Sequence, residues 1–111
     1  MSNPKSVWAV GDGWLPIVEA AVEQLEDLGA DILQVKQKFG GLRIYFVAPI
    51  QRADEASAIV AAAERICADT CERCGSVDRV ELVESGWYET LCAPCKKARL
   101  FEGGEPGGDK N

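Results

Sequence analysis

Two Cys-x-x-C pairs constrain this chain more than any other feature. They read Cys71-Glu72-Arg73-Cys74 and Cys92-Ala93-Pro94-Cys95, with seventeen residues between them. Each pair places two thiols on one side of a tight turn, and together they supply the four sulfurs of a tetrahedral shell. Zn²⁺ is the expected occupant. Iron also suits a tetrahedral sulfur site, but the long insert and a reducing setting favour zinc. The competing reading is a set of reduced cysteines or two disulfides. A shell of four thiolates leaves no open position for water, so the metal is expected to be structural rather than catalytic.

The 111 residues suffice for one domain, or one domain with a small appendage. A chain of this size buries about 60–68% of its unfolded surface, and a structural zinc would add about 10–16 kcal/mol of apparent binding energy. The formal charge is −6, and four thiolates with one Zn²⁺ would bring it to about −8. Such a balance disfavours non-specific binding to phosphate backbones and is compatible with a basic protein partner. No apolar run is long enough to span a bilayer, and the start MSNPKSVW lacks a signal-peptide pattern. A cytoplasmic setting is therefore expected. Thiols stay reduced there, and five cysteines cannot all pair.

Ahead of the cysteines, Val7–Val10 is β-prone and ends at Gly11-Asp12-Gly13. Leu15, Val18, Val22, Leu25 and Leu28 recur at helical spacing, which predicts a helix over Trp14–Leu28 with Pro16 in its first turn and Gly29 as its cap. Asp12 is placed to cap it; phosphate binding by the two glycines is a weak alternative. Asp31–Ala48 reads as a β-hairpin turning at Gly40-Gly41. That turn sets Phe39 opposite Leu42, Gln37 opposite Ile44, Val35 opposite Phe46 and Leu33 opposite Ala48 on a core face. Lys38 and Arg43, Lys36 and Tyr45, and Gln34 and Val47 then share the other face. Arg52–Asp69 reads as a second helix with the stripe Ala56, Ile59, Val60, Ala63, Ile66 and Cys67.

Within the metal segment, Gly75 permits a sharp turn after Cys74. Arg79–Glu84 and Trp87–Leu91 read as short strands joined by Ser85-Gly86, and a helix is expected to follow Cys92 and Cys95. This is the order of a treble-clef zinc finger; a zinc ribbon would place the second pair on another hairpin turn. Cys67 lies one helical turn before Cys71. It is either a buried core thiol or an alternative ligand and redox-sensitive group.

Two basic clusters are candidate binding surfaces, and each could equally be a solvated face. Lys36, Lys38 and Arg43 with the interleaved Tyr45 form the first. Lys96, Lys97 and Arg99 form the second and would also suit the later part of a short helix. Trp8, Trp14 and Trp87 are core or anchor residues, and any that is exposed becomes a contact candidate. The chain contains no histidine, which removes the commonest general base. No serine or cysteine has a recognisable catalytic partner, so no enzymatic activity is expected.

With GDGW, VKQKFGGLRIYF, ERICADTCERCG and GWYETLC, the chain resembles a family of small uncharacterised proteins from bacteria and their phages. The likeness runs from about Trp8 to Cys95. The second pair of that family often ends in histidine, where Cys95 stands here. The resemblance implies a treble-clef-like zinc finger and, by analogy, a phage-type inhibitor or modulator of a host system.

The resulting expectation is an α+β fold. Residues 1–69 form a core of strand, helix, hairpin and helix; 70–101 form the zinc module; 102–111 form a disordered tail. The expected function is non-enzymatic binding of a protein partner. The alternative is a nucleic-acid-binding module using the hairpin's basic face.

Overall fold

Leucine and valine at helical spacing need a surface to cover, and the alternating hairpin supplies it. In the computed structural model, which describes residues 8–84 and 86–103, the order is α1 (Leu15–Asp27), β1 (Asp31–Lys38), β2 (Gly41–Val47), α2 (Ala53–Ala68), β3 (Glu81–Val83), β4 (Glu89–Leu91) and α3 (Ala93–Gly103). The fold is α+β, with two small antiparallel sheets, β1–β2 and β3–β4. Helices α1 and α2 pack against the first. Ala9 adds a parallel bridge to β1 at Lys36. A tail is expected from 102, but α3 continues through Gly103; residues 104–111 lie outside the described residues.

Helix α1 starts from a 3-10 turn over Asp12–Trp14. Asp12 makes no capping bond; the Trp14 amide donates to the Gly11 carbonyl at 3.1 Å instead. At the other end the Gly29 and Ala30 amides donate to Glu26 and Leu25, closing the helix in a Schellman arrangement with Gly29 at φ +90°. Val18, Val22 and Leu25 are buried against Val35, Leu42 and Ile44 of the hairpin and Ala56, Val60 and Ala63 of α2. Burying each large side chain stabilises the fold by about 1.5–3 kcal/mol. Cys67 is fully buried in this same cluster, so it is a core residue.

The hairpin keeps its predicted faces except at Phe39 and Leu33, and it does not keep its predicted turn. Phe39 (φ +55°) and Gly40 (φ +81°) make the turn, so Lys38 meets Gly41, Gln37 meets Leu42 and Lys36 meets Arg43. Positive φ at both central positions is the primed hairpin geometry. Distant residues pack against this turn and require glycine at position 40. A Cβ on Gly40 would sit 2.2 Å from Leu82 Cδ1, and the Thr90 hydroxyl donates to the Gly40 carbonyl at 2.7 Å. Phe39 is therefore 65% exposed rather than core, with its ring edge-on to Tyr88 at 5.6 Å.

A bulge between Ile32 and Gln34 changes the other end. It turns Ile32 toward the core and leaves Leu33, expected inside, 62% exposed. Ile66 also departs from expectation. It lies at the edge of the α2 stripe and is 53% exposed.

Candidate metal centre

Strands β3 and β4 and the start of α3 follow the predicted order of knuckle, hairpin and helix. Their convergence gathers Cys71, Cys74, Cys92 and Cys95, whose sulfurs all lie within 4.8 Å of one another. The Cys74 and Cys92 sulfurs are 3.6 Å apart. That is far longer than a disulfide, about 2.05 Å, and close to the tetrahedron edge of about 3.8 Å that metal–sulfur bonds of about 2.3 Å require. Four soft donors at this spacing fit a metal such as zinc. Among the described residues no other His, Cys, Asp or Glu joins the group.

The second small core packs behind the sulfurs. Cys71 and Cys92 are buried with Val83 and Leu91, while Cys95 is half-buried and Cys74 exposed. Burial alone would raise the Cys71 thiol, but amides of Cys92, Cys74 and Arg73 directed at its sulfur outweigh it and lower it to about 7. Cys95 moves the other way, raised by burial and then by the neighbouring sulfurs. Amides that stabilise a thiolate, beside sulfurs that oppose a second, make a charge conflict that a dication relieves. Burial, with the Glu72 carboxylate adding to it, pushes the Cys67 thiol to about 12, and it stands apart from the four.

The knuckle is tied to the N-terminal half by backbone. The Gly13 amide donates to the Glu72 carbonyl at 2.9 Å, and Trp14 Nε1 donates to the Thr70 carbonyl at 2.8 Å. A Cβ on Gly13 would fall 2.1 Å from the Cys71 carbonyl oxygen, and one on Gly11 would fall 2.2 Å from that of Glu72. The glycines of GDGW are thus explained by close approach to the metal segment.

Side-chain bonds reinforce the junction. The buried Glu72 carboxylate accepts from the Thr90 amide at 2.9 Å and from Gln37 Nε2 at 3.1 and 3.2 Å. Gln37 Nε2 also donates to the Tyr88 carbonyl at 2.7 Å. This accounts for the one polar residue on the hairpin's core face. Burial raises the Glu72 pKa, against the lowering from its hydrogen bonds to Thr90 and Gln37. A charged pair inside Cys71-Glu72-Arg73-Cys74 was the available signal for this network.

The second basic cluster dissolves into scaffold. Arg99 is 3% exposed, stacks 3.8 Å over the Trp87 ring and donates to the Trp87 carbonyl at 2.7 Å. Glu89 receives Arg73 at 2.9 and 3.0 Å, Trp87 Nε1 at 3.1 Å and Arg99 at 3.4 Å. Lys96 pairs with Glu81 at 3.1 Å, and Lys97 is exposed. Trp87 remains 48% exposed, whereas Trp8 and Trp14 are buried.

The hairpin's basic face does assemble. Lys36 stands directly opposite Arg43, with its Nζ 5.5 Å from the Tyr45 ring centroid; Lys38 Nζ is 5.7 Å from that of Phe39. Among the described residues no carboxylate pairs with Lys36, Lys38 or Arg43. No described helix is long and apolar enough to cross a membrane. No protein-family model, curated protein or solved structure matches the chain.

Proposed function

We propose that this protein is a zinc-stabilised, non-enzymatic interaction module that binds a protein partner through the aromatic surface at the hairpin tip. The observation that carries this reading is the exposed Phe39–Tyr88 pair. Phe39 comes from the first hairpin and Tyr88 from the metal segment, and they meet edge to face at 5.6 Å. The Thr90–Gly40 bond and the Gln37–Tyr88 bond fix both backbones. Aromatic anchors held rigid beside cations have the composition of interface hot spots. Zinc in the closed shell supplies folding energy and no open coordination position, which favours binding over catalysis.

The test is affinity capture by the zinc-loaded protein, compared with Phe39→Ala and Tyr88→Ala, with and without nuclease. Capture that survives nuclease and is lost in both variants supports the proposal. Capture unchanged in both variants refutes this surface.

A second reading is supported by the Lys36–Arg43 pair. Like charges directly opposite are unfavourable in a sheet, and these two have no carboxylate partner among the described residues. With Tyr45 beside them on the same face they suit single-stranded nucleic acid. Salt-dependent binding of single-stranded DNA or RNA that weakens in Lys36→Ala and Arg43→Ala would support it; no binding at low salt would exclude it.

A further inference from the structure

Helices α1 and α2 cover the hairpin with one side each and leave a groove between them on another. The groove measures about 340 Å³ and is lined by Ile17, Ala20 and Ala21 facing Ile59, Ala62 and Ile66, with Gln24 as a polar member. Small residues give it depth, since Ala21 and Ala63 are buried at its floor. Ile66, 53% exposed, is an apolar anchor at one of its walls.

Its rim is charged unevenly. On α1 the row Pro16–Ala20–Gln24 edges the groove, and the next row outward is Glu19–Glu23–Asp27; Glu19 has an interaction of its own, which leaves the exposed carboxylates Glu23 and Asp27, one turn apart. On α2 the corresponding outer row is Ser57–Ala61–Arg65–Asp69, with one cation and one carboxylate. Arg52 and Glu55, near the N-terminal end of α2, neutralise each other in an ion pair. The asymmetry therefore comes from α1.

We propose that this groove is a docking site for a basic amphipathic helix of a partner protein, with its apolar ridge on the alanine floor and its Lys or Arg residues beside Glu23 and Asp27. The concavity suits a helix ridge, and the carboxylate row gives the charge of the occupant. A second copy is a poor occupant. Its own α1 would bring carboxylates to carboxylates, and the Arg99 side chain of α3 is buried against Trp87 and Glu89. This surface is separate from the Phe39–Tyr88 surface, so either can fail without the other.

The test uses the full-length, zinc-loaded, isotope-labelled chain and two designed peptides of about 18 residues, about 27 Å when helical. Both carry leucine at i, i+3, i+4 and i+7; one is flanked by lysine, its twin by glutamate. The expected result is chemical-shift changes centred on Ala20, Gln24, Ala62 and Ile66 with the lysine peptide, and affinity about tenfold lower for the glutamate twin. Glu23→Lys with Asp27→Lys, both exposed, should reverse that order of preference. Ala20→Trp should fill the groove and abolish binding of both.

Four results would overturn the proposal. They are shift changes centred elsewhere, equal affinity for the twins, no change at millimolar peptide, or groove shifts that follow protein concentration without peptide. The last would assign the groove to a second copy.

Discussion

Replacing Gly13 by alanine is a test of how the N-terminal loop and the metal segment are joined. A Cβ there would lie 2.1 Å from the Cys71 carbonyl oxygen and 2.5 Å from the Gly75 amide nitrogen. Both are backbone atoms of the knuckle, and neither can swing aside as the tip of a side chain can. A retreat of the loop would break the 2.9 Å bond from Gly13 to Glu72 and strain the bond from Trp14 to Thr70. Overpacking costs about 1–3 kcal/mol, and each lost hydrogen bond about 1 kcal/mol. Gly13→Ala should therefore cost about 3 kcal/mol, which lowers Tm by roughly 12–24 °C in a domain of this size. Gly41→Ala is the internal control. Its nearest contact is the Lys38 carbonyl oxygen at 3.7 Å, and its φ is not positive. The assay is thermal unfolding of both variants at saturating zinc, followed by competition with a chromophoric chelator. Metal affinity should fall about tenfold for each 1.4 kcal/mol of strain that reaches the knuckle. Equal Tm values for the two variants would refute the reasoning, because only the close approach distinguishes them.

Three further outcomes are expected. Elemental analysis should find one zinc per chain, and chelation should unfold at least residues 70–101; a metal-free protein with an unchanged melting curve would contradict the site. Arg99→Ala should destabilise by about 2–4 kcal/mol in denaturant titration, because it uncovers the Trp87 ring and removes one of the two cations on buried Glu89, leaving it to Arg73 and the Trp87 indole N–H, whereas Lys97→Ala should stay within about 0.5 kcal/mol. For Cys67 the folded thiol is raised to about 12. The folded state then holds the proton more tightly than the unfolded chain, whose thiol titrates near about 8.5. The stability this supplies is complete below about pH 8.5 and is lost as pH rises through about 12. Cys67→Ala should flatten that alkaline loss relative to wild type. In native protein at pH 8, Cys67 should alkylate about three orders of magnitude more slowly than an ordinary thiol, as read by mass spectrometry.

The sequence was most legible where the physics is local. Leucine spacing located α1, the alanine-rich stripe located α2, and alternation assigned the hairpin's faces. The cysteine spacing identified the four sulfurs that converge. The misreadings share a cause, which is that the deciding contact lies far along the chain. Gly40-Gly41 is the better turn by local chemistry, yet the turn that forms is Phe39-Gly40, held by contacts of Gly40 with Leu82 and Thr90. Leu33 fits the alternation until the bulge removes it from register. Asp12 has the chemistry of a cap, yet the glycines on either side of it are placed for the Cys71–Glu72 backbone.

The same distances explain why the polar residues around the metal were hard to read. In sequence, Gln37 is the one polar residue on the hairpin's core face, and Glu72 stands between two ligands with no partner nearby. They meet across a separation of 35 residues, and burying either alone would leave an unsatisfied polar group costing about 1–3 kcal/mol. Together, with the Thr90 amide and the Tyr88 carbonyl, they satisfy one another. Arg99 and Trp87 follow this logic. A cation in a run of lysines looks like surface charge until an aromatic face and a carboxylate are found to enclose it. The residues that position the metal segment are therefore ones whose partners lie in other elements, and the Phe39–Tyr88 surface is assembled only when those partners meet.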